Sequence, residues 1–324
     1  MRHPTVRHVA LRLLAGVGVM WGAATLTFVV LLLVQGDQVS GVVGTGALVT
    51  PEVRAQIVHE YGFDQPIVVQ YLRWIGHLLT GDLGRSYQLN TTVGDALAGQ
   101  IGPTAALAGA ATAIALTASL TLALLTAGRG RLVRGVASAV ELVAVAVPAF
   151  WVGLLALTYL SFRWGVFPGA GSGGLGGLLL PSLVLALPLT GLLTQVLRQA
   201  LDEALAQPFA LSARARGAGP VALIARHALR HALATLTTLV GWMVATLFGG
   251  AVLIETVFAR PGLGRVLLSA VTSRDLPVVS AIVLLVAAVF TVVNLLVDLA
   301  YRWIDPRLRT APAATAARPT AEPA

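Results

Sequence analysis

Gln207-Pro-Phe-Ala-Leu-Ser-Ala-Arg-Ala-Arg-Gly-Ala-Gly219 stands between two long apolar runs, Pro181–Leu197 and Leu233–Val257. Small residues alternate with arginines in Ala213, Arg214, Ala215, Arg216 and Gly217, so a short helix here offers a backbone that a partner can approach closely. Gly217, Ala218 and Gly219 end it, and Pro220 can open a second helix, since glycine suits a helix end and proline a first turn. Arg226-His-Ala-Leu-Arg-His231 follows before the chain turns apolar again. The arginines would serve equally as positive-inside anchors. The length of the loop, its small residues and its helix–break–helix pattern favour a docking handle.

The 324 residues are 56% hydrophobic and only 11% charged, with a mean hydropathy of +0.83. A soluble domain cannot carry that apolar fraction without exposing it, so the composition is that of a polytopic membrane protein. The net charge of +8 does not mark a nucleic-acid surface, because the arginines fall at the ends of apolar runs, where they set topology. There is no cysteine, which excludes disulfides and thiol chemistry. All 22 basic residues are arginine, so a Walker lysine and Schiff-base chemistry are excluded too.

At about 1.5 Å per residue, about 20 apolar residues cross a bilayer. Six runs qualify: Val9–Val34, Pro103–Thr126, Val136–Phe162, Pro181–Leu197, Leu233–Val257 and Pro277–Trp303. The first is too long for a signal-peptide core and reads as a retained span. Arginines gather in alternate connections: Arg2, Arg7 and Arg12; Arg129, Arg131 and Arg134; Arg198, Arg214, Arg216, Arg226 and Arg230; then Arg302, Arg307, Arg309 and Arg318. Both termini are therefore expected on the cytoplasmic side of the membrane. Residues 1–34 form the N-terminus and first span, 35–99 an external segment, 94–303 the remaining five spans with the handle at about 200–230, and 304–324 the tail.

The external segment has its own local signals. Thr50-Pro-Glu-Val opens a helix that runs to Tyr61-Gly62, with threonine as cap and proline in the first turn. A second helix is expected from about Asp64-Gln-Pro66 to Leu79, with Ile67, Tyr71, Trp74, Ile75 and Leu78 at helical spacing. The fold expected is thus all-α: six transmembrane helices and a small external helical subdomain between the first and second. Residues 310–324, rich in alanine, proline and threonine, have no apolar period and read as disordered. Pro148 and Pro188 each remove a backbone donor inside a run and are expected to kink their helices; Pro181 and Pro277 stand nearer helix starts.

Two motif matches fail on context. Gly169-Ala-Gly-Ser-Gly-Gly174 fits a dinucleotide pattern but follows the end of a span, with no strand before it. His227 and His231 are one helical turn apart, as in zinc proteases, but the glutamate after the first histidine is missing and Arg226 and Arg230 would repel a cation. Acidic groups in or near the spans are few. Asp298 is expected to pair with Arg302, Glu141 lies near Arg134, and Glu255 sits by the outer end of its span. No two carboxylates form a relay in mid-membrane, which speaks against an ion-coupled carrier.

Ala213-Arg-Ala-Arg-Gly217 with Arg226-His-Ala-Leu-Arg230 resembles the EAA motif of permeases in the dipeptide/oligopeptide/nickel ABC importer family, the loop that touches the ATPase. The resemblance continues through Gly249-Gly-Ala-Val-Leu-Ile-Glu-Thr-Val-Phe258, Arg260-Pro-Gly-Leu-Gly-Arg265, Arg274-Asp-Leu-Pro-Val278, Val293-Asn-Leu-Leu-Val-Asp298 and Asp305-Pro-Arg307. Upstream, Gly62-Phe-Asp-Gln-Pro66, Gln70-Tyr-Leu-Arg-Trp74, Gly81-Asp-Leu-Gly-Arg-Ser86 and Pro148-Ala-Phe-Trp151 resemble the same family. Departures are Pro208-Phe-Ala210 where the family has aspartate-tyrosine-valine, Arg216 for a lysine, and Gly36-Asp37 for a longer proline-flanked motif.

The resemblance implies a non-catalytic subunit of the bacterial plasma membrane forming half of a translocation pathway, in a heterodimeric pair with a second homologous permease. Two ATPases, which use ATP and magnesium, would dock on the cytoplasmic handles at Ala213–Gly219. An external solute-binding protein would deliver peptides, or in related machines nickel, glutathione or another small solute. The chain itself is expected to bind no cofactor or metal, to be surrounded by lipid and to meet no nucleic acid. A secondary carrier and an intramembrane metalloprotease built on His227 and His231 are the readings from other classes.

Overall fold

A computed structural model describes residues 3–33, 38–43, 49–217, 219, 223–224, 228–229 and 239–304. The helices are α1 (His3–Leu33), α2 (Gln38–Val43), α3 (Pro51–Tyr61), α4 (Ile67–Leu79), α5 (Val93–Thr126), α6 (Arg131–Ala146) and α7 (Ala149–Ala156). There follow α8 (Gly176–Leu205), α9 (Pro208–Ala215), α10 (Val240–Val257), α11 (Leu263–Thr272) and α12 (Leu276–Ile304). A wider π-type turn, Leu157–Arg163, continues α7. No strand occurs among the described residues.

Four stretches are long and apolar enough to cross a membrane: Leu11–Val30, Val93–Thr126, Gly176–Leu205 and Leu276–Val297. The third expected span differs from a single kinked rod. The chain bends by 92° between Arg131–Ala146 and Ala149–Arg163, which together would make a fifth crossing. Proline forces its predecessor out of the helical region, and here Val147 (φ −78°, ψ 127°) and Pro148 (φ −59°, ψ 126°) are both extended. Two extended residues in a row redirect the chain where one lost hydrogen bond would only have bent it. Pro181 and Pro188, in contrast, lie inside α8, which continues through both.

The second run starts earlier than its apolar stretch suggests. Thr92 accepts the N–H of Asp95 at 3.2 Å and donates to its carboxylate at 2.6 Å, capping α5 eleven residues before Pro103. Of the fifth run, residues 240–257 are helical, while residues 231–238 and the tail from 305 lie outside the described residues. The Thr50 cap, with Pro51 at the first position, and the left-handed Gly62 bound α3 as the sequence indicates.

Packing centres on α5 against α8. Ala111, Ala115, Ser119 and Ala123, four residues apart on α5, are fully buried, and so are Leu189, Leu193, Leu197 and Leu201 on α8. Lipid tails are as apolar as leucine, so membrane helices gain little from hiding leucine as such. They gain from close contact, which small residues permit. A groove of small side chains on α5 receiving leucines of α8 is that solution. Gly191 on α8 approaches α6 so closely that a Cβ would crowd the Glu141 carbonyl, Ala144 and Val145.

The ends of the helices meet in two sets. Phe28 and Leu32 of α1 share a groove with Pro277 and Ser280 of α12, while Arg12, Gly16 and Val19 of α1 lie with Thr291, Asn294 and Leu295 of α12. These two helices are therefore antiparallel. At the end marked by Asn294, the Gly128 N–H after α5 donates to Asp202 near the end of α8 at 2.9 Å, and Arg134 of α6 reaches Asp202 at 3.4 Å.

Candidate functional site

The handle is α9 and the residues after it. Gln207 is extended, Pro208 opens the helix, and Ala210 and Ala213 are buried against Leu205, Phe209 and Leu223. Arg214, Ala215, Arg216 and Gly217 are exposed on the other side, as is Gly219. Gly217 has φ +85°, a left-handed conformation that ends the helix, and its N–H donates to the Arg214 carbonyl at 2.9 Å. Thus Ala213 supports the loop from within while its four successors form a free edge. Ala218, Arg226, His227, Arg230 and His231 lie outside the described residues. Pro148 stands at the 92° break, and Pro188 lies half-buried in α8, the helix that leads into the handle.

A second cluster ties α5, α10 and α11 together. The Glu255 carboxylate on α10 is completely buried. One oxygen accepts the Thr104 hydroxyl of α5 at 2.6 Å; the other accepts the N–H groups of Gly264 at 2.8 Å and Arg265 at 3.2 Å. Thr104 in turn accepts the Leu263 N–H at 2.8 Å. The otherwise unpaired donors at the start of α11 are satisfied by a carboxylate and a hydroxyl from two other helices. Glycine is needed at 262 and 264 because a Cβ would strike the Glu255 carboxylate at the first and the Val252 backbone at the second. Arg260 completes the junction, donating to the Gly177 carbonyl at 2.5 Å.

Two distant sequence motifs meet at the same end of the bundle. Ser86 donates to the buried Asp275 carboxylate, whose Oδ2 also accepts the Gln88 N–H at 3.3 Å. Gly84 packs beside Pro277, and its carbonyl accepts the Val93 N–H at 3.0 Å, so the turn before α5 is locked to the turn before α12. Burial pushes the neighbouring Tyr87 phenol well above its ordinary pKa, with Tyr61 and then the Asp275 carboxylate adding to the shift.

Glu141 pairs with Arg198 of α8 and not with Arg134. The contact is bidentate, at 2.5 and 2.7 Å, and Ser138 accepts a further bond from the same guanidinium at 2.9 Å. Arg134 is two turns away along α6, about 10 Å at 1.5 Å per residue, whereas the close approach at Gly191 brings α8 alongside. The side chains of Asp298 and Arg302 lie outside the described residues.

Between α5, α10, α11 and α12 runs an apolar groove of about 270 Å³, whose floor on α5 is Ala105, Ala108, Gly109 and Thr112 and whose walls include Leu247, Phe248 and Val286. The Thr112 hydroxyl is turned back to the Ala108 carbonyl at 2.7 Å, so it presents no free donor to the groove. Thr104 and Leu263 of the Glu255 cluster also line it.

The described residues thus combine membrane-length helices, a basic loop with an exposed small-residue edge and a buried carboxylate junction, in agreement with a membrane transport subunit. The chain belongs to the family described as binding-protein-dependent transport system inner membrane component, which it matches over residues 119–310; the N-terminal part of the same systems matches residues 5–108. It is 37% identical over 308 residues to a putative peptide transport system permease protein of Brucella abortus (strain 2308), covering 92% of this chain and 97% of that one. It is 30% identical to a probable peptide ABC transporter permease protein of Sinorhizobium fredii, over 93% of this chain and 99% of the other. The oligopeptide transport system permease protein AppB of Bacillus subtilis is likewise 30% identical, over 93% and 98%.

The sequence singles out Glu141 and Glu255, but not the partners of either. The signal for the Glu255 junction was present in Gly262 and Gly264, whose spacing after a lone carboxylate marks a close backbone approach. Nothing in the sequence alone joins Thr104 or Ser86 to partners more than 150 residues away.

Proposed function

We propose that this chain is one permease of an ATP-driven importer that takes up peptides handed over by an external solute-binding protein. Six crossings, with both termini cytoplasmic and residues 35–99 outside, agree with the antiparallel placing of α1 and α12 and with the arginine pattern. Two ATPase subunits bind ATP and magnesium and press on the handles; the edge Arg214–Gly217 is the contact on this chain. A second, homologous permease faces the apolar groove of α5, α10 and α12, and cargo moves along the seam between them.

One observation carries the reading. The exposed edge is backed by Ala210 and Ala213 and is joined through α9 to α8, the most deeply buried helix of the bundle. Force applied at the loop therefore reaches the centre of the transmembrane region without passing through a flexible link. A switch of this kind requires nucleotide to bind one state of the assembly better than the other. The peptide cargo is carried over from the names of relatives that match almost end to end.

The test is a pull-down of the solubilised chain from its native membrane, with an Ala215→Glu version alongside. Recovery of an ATPase and a second permease with the native chain, and loss of the ATPase alone with the variant, supports the assignment. A native chain that brings down no ATPase under mild conditions overturns it.

A further inference from the structure

Helix α4 divides into three strips. Tyr71 and Trp74 pack on α1: the Tyr71 hydroxyl shares a 2.7 Å hydrogen bond with Thr25, and both rings lie against Phe28, with centroids 5.3 and 5.5 Å away. Gln70, Arg73 and His77 form a polar strip on a groove shared with Tyr61, Gly62 and Tyr87, and Arg73 lies so close over Gly62 that a Cβ there would collide with it. The third strip is Val68, Leu72, Ile75 and Leu79, spaced i, i+4, i+7 and i+11. Val68, Leu72 and Leu79 are 67%, 61% and 84% exposed. None of the described residues covers it.

The position of α4 along α1 says what does. The membrane-length stretch of α1 ends at Val30. Thr25 and Phe28 precede that end by about 3 to 8 Å at 1.5 Å per residue. A helix fastened to those two residues is therefore held at the depth where headgroups give way to acyl chains. The apolar side of α1 at this level, Leu26, Val29 and Leu33, is itself exposed, as a face turned to lipid would be. Tyrosine and tryptophan are the side chains suited to that depth, and an amphipathic helix lying flat there buries its apolar side about 5–10 Å into the boundary.

We propose that α4 is an interfacial helix, lying in the bilayer leaflet at the C-terminal end of α1 with Val68, Leu72, Ile75 and Leu79 in lipid and Gln70, Arg73 and His77 toward water. That this leaflet is the external one rests on the topology proposed above; the depth does not. The helix pins the segment between α1 and α5 to the membrane surface and fixes how far it stands from the bundle.

The chain has no cysteine, so a single introduced one carries the only spin label on this chain. Leu72→Cys, Leu79→Cys and, as the water-side reference, His77→Cys would be labelled in the full chain, purified with its accompanying subunits and returned to lipid vesicles. Collision with oxygen, which concentrates in lipid, is compared with collision with a water-soluble nickel chelate. Labels at 72 and 79 should favour oxygen and report a depth of about 5–10 Å below the phosphates, while the label at 77 favours the chelate. Labels at 72 and 79 as open to the chelate as 77 overturn the proposal, as does shielding from both reagents, which means a protein partner covers the strip. If Leu72→Cys does not assemble, Val68→Cys reads the same strip. ATPase recovery is scored in the same preparations, so an error in the functional reading and an error in the placing of α4 appear separately.

Discussion

Thr104 and Glu255 lie 151 residues apart and share a hydrogen bond of 2.6 Å, and each also holds a backbone N–H at the start of α11. Three helices are thereby bound at one point closed to water. Neither side chain can leave without stranding a donor, so α5, α10 and α11 shift together or the junction breaks.

Thr104→Val keeps the shape of the side chain and deletes its hydroxyl. It leaves the Leu263 N–H unpartnered and removes one of the donors to the Glu255 carboxylate. The expected loss is about 1–3 kcal/mol, read as a lower midpoint of thermal unfolding in detergent. Thr104→Ser should stay near the native midpoint. Equal midpoints for the valine variant and the native chain would show that the junction contributes nothing to stability.

Ala115→Leu tests the fit of α5 to α8. The site is fully buried opposite a row of leucines, and overfilling it should cost about 1–3 kcal/mol by forcing the helices apart. The same substitution at Ala113, exposed and off the stripe, should cost less. Measuring both midpoints in one preparation separates a packing effect from a general effect of added bulk.

Glu141→Ala leaves the Arg198 guanidinium buried without its carboxylate and should destabilise the chain by about 3–5 kcal/mol. Replacing both residues with leucine and methionine should recover much of that loss, because the penalty comes from the stranded charge. Unfolding midpoints of the single and paired variants decide the matter. A paired variant as unstable as the single one would show that the charges themselves are required.

Ala215→Glu and Gly217→Glu both place a bulky acid on the exposed edge of the handle, but they are not equivalent. Gly217 is left-handed, and a side chain there costs about 1–2 kcal/mol on the backbone alone. Ala215 is helical, so its variant changes only the surface. Uptake should be abolished with membrane insertion intact in the Ala215 variant, and Ala215→Ser should transport normally. Normal uptake by Ala215→Glu would remove the edge from the contact with the ATPase.

What could be read in the sequence was local. The cap at Thr50 and the stop at Gly62 depend on neighbours within four residues, and the apolar runs depend on composition alone. Pro148 announced a disturbance but not its size, because that depended on Val147 also becoming extended. Glu141 lies near Arg134 in sequence, whereas its partner Arg198 comes from α8 and is brought near by the small residue at Gly191. Partners of that kind depend on how each helix is rotated about its axis. A helix that is apolar all round, as α5 nearly is, carries no mark of that rotation in its hydrophobic pattern.

Helix α8 exposes few large apolar side chains, Leu179 and Leu183 near its first turns, while α1 and α6 expose many. Bilayer thickness and tension act through side chains that touch lipid. They have a grip on the outer helices and almost none on α8. The height of α9 relative to the bundle is thus set by protein contacts alone, and should stay constant when the lipids around it change.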